Sequence, residues 1–221
     1  MKVSYLTTSF RCSQAVITEA KWRAPDMEWP EWAVTGSVNT KESWVLDDIP
    51  DGSAVICRNN APLFSLALEF LKEGRYPELS GRDVIKGLIT QMKKFGKTDT
   101  SQEQALGKLA AWFTRESKRA RDSRQLQDKR QCMEIFITQG STLGKAIALA
   151  KALEQQSGRI KLMTGHKAKG LEFDDVFFLD PQLCGKKDQE KNIRYVIQTR
   201  AKNNLTYIHT ETLQTKEYKT S

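Results

Sequence analysis

The chain has 221 residues, of which 39% are hydrophobic and 28% charged, a balance that excludes a disordered polyelectrolyte. Its length allows one large domain or one domain with an insert. A formal charge of +8 and a pI near 9.3 favour a polyanionic partner, of which nucleic acid is the commonest. Cys12, Cys57, Cys132 and Cys184 are scattered, with no Cys-x-x-Cys pair and no histidine cluster beside them. That spacing argues against structural zinc and against a disulfide framework. Reduced thiols and a cytoplasmic location are the expectation. No apolar run approaches the ~20 residues of a membrane span, and the start of the chain lacks a signal-peptide core.

In chain order, Tyr5–Leu6 reads as a short strand leading into Thr7 to Cys12. A helix follows from Ser13 to about Ala20, with Ser13 as its N-cap. Trp22, Trp29 and Trp32, with two prolines, mark an irregular aromatic loop. Val34–Val38 and Trp44–Ile49 read as strand pieces, and Ser53–Arg58 as a buried strand. Pro62 opens a helix carrying Leu63, Leu66, Ala67 and Phe70 at helical spacing, and Gly74 ends it. A second helix runs from about Asp83 to Lys94.

Residues 96–157 read as an all-helical insert containing a densely basic stretch, Arg115 to Arg130. Strands return at Ile160–Met163 and Val176–Leu179. A helix from about Gln189 to Ala201 and a strand, Leu205–His209, close the fold, and the last residues, 216–221, form a polar tail that frays. Strands alternating with helices predict an α/β fold with a mainly parallel sheet flanked by helices. Residues 1–95 and 158–215 would form this discontinuous domain.

The segment Thr164-Gly-His-Lys-Ala-Lys-Gly-Leu-Glu-Phe173 is the richest in chemistry. A polar loop between two strands offers a hydroxyl, an imidazole, two lysines, a glycine backbone and a carboxylate. That set suits phosphates and sugars. It resembles the Thr-x-His-x-Ala-Lys-Gly-Leu-Glu-Phe signature of the UvrD/Rep-like superfamily 1 helicases, with eight defined positions in register.

Three more segments fall where that family would place them. Ser9-Phe10-Arg11-Cys12 resembles its Asn-Tyr-Arg-Ser motif, and on its own is an arginine before a helix. Tyr195 to Ala201 resembles Tyr-Val-x-x-Thr-Arg-Ala, and on its own is an amphipathic helix. Ile56-Cys57-Arg58-Asn59-Asn60 resembles a strand-end Arg-x-Asn, and on its own is a polar strand exit.

The resemblance implies a RecA-like (P-loop NTPase-type) second motor domain, in which 96–157 would be a reduced form of the family's helical subdomain. It implies that Arg11 reaches the γ-phosphate of ATP and that Arg200 is an arginine finger. Gly170 would let backbone approach the nucleotide, and Glu172 would accept from the ribose hydroxyl. Arg58, Asn60, Thr164, His166 and Lys169 would face single-stranded DNA. The implied activity is ATP-dependent 3′ to 5′ helicase work in DNA repair or replication.

ATP hydrolysis by such motors needs a Gly-x-x-x-x-Gly-Lys-Ser/Thr loop. The nearest stretch, Gly140 to Ala146, is one residue short and lacks the magnesium-binding hydroxyl. It reads as a helix–turn–helix junction. ATP and Mg2+ would therefore be held mainly by an N-terminal Walker A motor domain, in cis or in trans, and this chain alone would be inactive. A rival expectation is a non-catalytic module binding single-stranded nucleic acid through the Arg115–Arg130 block.

Overall fold

The computed structural model describes residues 7–120 and 122–215, so the expected strand Tyr5–Leu6 and the tail 216–221 lie outside the described residues. In chain order the elements are α1 (Gln14–Ala20), β1 (Ser37–Thr40), β2 (Ala54–Cys57), α2 (Asn60–Lys72), β3 (Glu78–Leu79), α3 (Arg82–Met92) and α4 (Gln102–Ser117). They continue with α5 (Ser123–Gln139), α6 (Leu143–Gln155), β4 (Lys161–Thr164), β5 (Phe173–Leu179), α7 (Asp188–Gln198) and β6 (Ala201–Ile208). Two compact units result, one from residues up to Arg58 together with those from Arg159 onward, the other from Asn59 to Gly158. Among the described residues no helix is long and apolar enough to cross a membrane.

The first unit is an α/β, RecA-like arrangement. Its strands run in the order β1-β6-β5-β2-β4, and every one of these pairings is parallel. β2 reads Ala-Val-Ile-Cys and is buried at all four positions. Such continuous apolar runs are what a parallel strand covered on both faces requires. Alternate residues (Ala54 and Ile56, Val176 and Phe178, Leu205 and Tyr207) form one core with Val16 and Ile17 of α1 and Ile193 and Ile197 of α7. Each such side chain contributes about 1.5–3 kcal/mol by leaving water. The parallel register sets Cys57 beside Thr164. The carboxyl ends of β2 and β4 therefore lie together, where open α/β sheets carry their ligands.

The second unit holds α2–α6 and the short β3. α5 packs against α2, α3, α4 and α6, and the rings of Phe64 and Phe136 meet at 5.5 Å. Side chains at the helix starts satisfy orphan amides: Ser101 for α4, Asp122 for α5 and Thr142 for α6. The Gly140–Ala146 stretch is the turn between α5 and α6, with Thr142 Oγ1 accepting from the Lys145 amide at 3.3 Å. This unit takes in α2 and α3 as well as the helices of the 96–157 segment.

Three local expectations are corrected. Trp44–Ile49 is not a strand, because Asp48 folds back on Val45 and closes a 3-10 turn over Leu46–Asp48. Ser13 stands at the N-cap of α1 but makes no cap bond; its hydroxyl instead donates to the Asn203 carbonyl at 2.9 Å. α7 ends at Gln198, so Thr199 and Arg200 form the step from helix to strand.

Candidate functional site

β4 delivers the chain into a tight loop at the carboxyl edge of the sheet. The Gly165 amide donates to the Cys57 carbonyl at 2.9 Å, extending the β2–β4 ladder by one bond. Ala168 and Leu171 amides close turns on the carbonyls of Thr164 and Ala168, at 3.0 and 3.1 Å. Thr164 and Ala168 are buried, while His166, Lys167 and Lys169 are exposed. Gly165 packs on α7: a Cβ there would lie 2.8 Å from Ile197 Cγ1 and 2.9 Å from Ile193 Cγ2. Gly170 has φ 83° with open space where a Cβ would stand. Its glycine is needed for the left-handed turn rather than for close approach of another group.

On one side of this loop the nucleotide candidates assemble. Arg11 Nε donates to Glu172 Oε1 at 2.6 Å, and both side chains are about 40% exposed. Arg200 is buried. Its Nε donates to the Val196 carbonyl and Nη1 to the Leu171 carbonyl, each at 3.0 Å, and Nη2 donates to Thr199 Oγ1 at 3.3 Å. A guanidinium has five N–H groups, so two remain for a further acceptor. Burial, followed by the nearby Arg11 charge, lowers the Arg200 pKa; the group stays a cation at neutral pH. Cys12 bridges the two arginines. Its thiol donates to the Thr199 carbonyl at 3.6 Å, and burial raises its pKa.

Beside Arg11, a cleft of about 330 Å³ is lined by Phe10, Trp32, Val34, Asp174 and Lys202. The rings of Phe10 and Trp32 stack at 6.1 Å while 66% and 69% exposed. Guanidinium forks, an exposed carboxylate and an apolar ring face are the donor set that a nucleoside triphosphate matches. Among the described residues no group of three His, Cys, Asp or Glu side chains could hold a metal ion.

On the other side of the loop stand the nucleic-acid candidates. Arg58 leaves β2 and makes a bidentate pair with Glu190 of α7, Nε to Oε2 at 2.7 Å and Nη2 to Oε1 at 2.9 Å. The two side chains are 19% and 8% exposed. Removing one partner from such a pair costs about 3–5 kcal/mol. His166 is electrostatically linked to Arg58, Lys169 and Glu190; burial first, then the Arg58 and Lys169 charges, lower its pKa, so the imidazole is neutral at pH 7. Cys184 belongs to the same cluster. Burial, then Glu190, pushes its thiol up to about 11.

Asn60 lies in the second unit. Its Nδ2 donates to Asp128 Oδ2 at 2.9 Å, and Asp128 also accepts from the amides of Asn60 and Ala61. Asp128 of α5 thus caps α2, whose own N-cap residue, Asn59, makes no side-chain cap bond.

The structure brings Arg11, Glu172 and Arg200 together, sets His166 and Lys169 on the exposed loop, and engages Arg58 and Asn60 with internal carboxylates. Sequence reasoning missed Glu190, Asp128 and Gly165. Glu190 had a signal: it shares the buried stripe of α7 with Ile193 and Ile197 at i, i+3 and i+7, and a carboxylate there demands a cation. Asp128 had none.

No curated protein matches the chain. Among solved structures it is similar to the C-terminal domain of a possible DNA helicase from Lactobacillus plantarum WCFS1. That likeness has 15% identity and a TM-score of 0.43, and covers 93% of this chain and 90% of the other. The family model of the UvrD-like helicase C-terminal domain matches residues 54–212, and the chain belongs to that family.

Proposed function

We propose that the chain is the second motor half of an ATP-dependent 3′ to 5′ DNA helicase. The observation that carries this reading is the assembly of Arg11, Glu172 and Arg200 beside a loop whose His166 and Lys169 face outward. ATP, when bound, would supply the free energy of phosphoryl transfer to water. Arg11 would exchange Glu172 for phosphate oxygens, and Glu172 would then accept from a ribose hydroxyl. Arg200 would direct its two remaining N–H groups at the transferring phosphoryl group. An arginine in that role contributes about 10³–10⁵ in rate. Phe10, exposed beside Arg11, offers a face for the base.

Thr164 shapes the nucleic-acid loop, while His166 and Lys169 meet single-stranded DNA. The Walker A loop and Mg2+ would belong to an N-terminal motor domain in cis or in trans. The chain alone then turns over no ATP, with or without single-stranded DNA. A phosphate-release assay on the purified chain tests this. Turnover above background that Arg200→Ala abolishes would sink the reading of an incomplete motor.

A second reading is a non-catalytic module that binds single-stranded nucleic acid. It is favoured by the exposed Arg115, Lys118, Arg119 and Arg124 around the α4–α5 turn.

A further inference from the structure

We propose that Arg58 and Glu190 form a neutral clasp that positions the 164–170 loop, and that Lys169 carries the phosphate-binding charge of this face. The inference rests on reading that loop as a nucleic-acid contact. Arg58 is the obvious cation at the strand end, yet both oxygens of Glu190 take its Nε and Nη2 at 2.7 and 2.9 Å. The two charges cancel at that point. Glu190 cannot follow Arg58 outward, because it sits on the buried stripe of α7 with Ile193 and Ile197.

Its neighbours offer no replacement cation of comparable fit. Cys184 is held as a neutral thiol, and His166 is uncharged at neutral pH. A phosphate drawing Arg58 away would therefore strand a nearly buried carboxylate. Lys169 is exposed and makes no salt bridge among the described residues. It stands close enough to His166 to influence its titration. A phosphate arriving at the loop meets the Lys169 ammonium and the neutral His166 N–H, with Arg58 behind them as a positioning residue.

The test is binding of the full chain to a labelled oligothymidylate of about 20 nucleotides, by fluorescence anisotropy across a salt series. Each phosphate contact on a single strand contributes about 0.7 to the slope of log K against log salt. Lys169→Ala should lower that slope by about 0.7. The pair Arg58→Gln with Glu190→Gln should leave it unchanged. Glu190→Gln alone keeps the shape but frees one positive charge, and should raise the slope by about the same 0.7.

In parallel, the His166 imidazole titration followed by NMR reads the clasp without DNA. The double variant, which removes one charge of each sign, should leave the midpoint in place, and Glu190→Gln alone should lower it. A slope that falls by about 0.7 in the double variant, or no slope change in Glu190→Gln, overturns the clasp. A wild-type chain that binds no single strand at any salt concentration overturns instead the nucleic-acid reading beneath it.

Discussion

Gly165 shows how a single position can tie a loop to a helix. No side chain fits between its Cα and Ile193 and Ile197, and its amide completes the ladder to Cys57. Gly165→Ala should destabilise the chain by about 1–3 kcal/mol through overpacking; urea unfolding measures this, and an unchanged midpoint would show that the loop can lift off α7. His166 adds a pH dependence. Its folded pKa lies below 6.5 because burial and then the Arg58 and Lys169 charges oppose protonation. The unfolded chain therefore binds the proton more readily than the folded one. Stability contributed at this site is complete above pH 6.5 and falls as pH drops from 6.5 through the folded midpoint. Melting curves across that range, compared with His166→Gln, isolate the effect, which should vanish in the variant.

At the scale of elements, α7 connects the two sides of the loop. Its first turn holds Glu190 against Arg58, and the residue two beyond its last is Arg200. Gln198, fully buried at the end of the helix, accepts from Trp22 Nε1 at 2.9 Å and donates to the Tyr207 hydroxyl at 2.7 Å. That hydroxyl in turn donates to Glu19 at 2.6 Å. Burial pushes the Tyr207 pKa up, so the phenol keeps the proton that this network uses. Both ends of α7 are thus fixed by satisfied polar groups. The Arg58–Glu190 pair should respond asymmetrically. Arg58→Ala strands a carboxylate 8% exposed, whereas Glu190→Ala leaves a guanidinium that still reaches water. Arg58→Ala should therefore cost about 3–5 kcal/mol, and Glu190→Ala less; thermal melts that rank them the other way would contradict this account of α7.

For the whole molecule, the +8 charge gives long-range attraction to polyanions without saying where they bind. Reversing the charges of Arg115, Lys118, Arg119 and Arg124 should leave most single-strand affinity in place if the loop is the main contact. Loss of nearly all binding in a salt titration would favour the module reading. The sequence by itself determined the α/β alternation, the helical character of residues 96–157 and the chemistry of the 164–173 loop. Apolar periodicity, cap residues and motif spacing are local properties, readable within a few turns of chain. The Trp44–Ile49 turn escaped that reading because one carboxylate, Asp48, outweighs the strand-like run around it. Only the tertiary structure decided which charges remain available. Glu190 takes Arg58 across 132 positions and Asp128 takes Asn60 across 68. Such pairings depend on which elements the sheet and helix packing bring together, and burial then makes the ion pair costly to break.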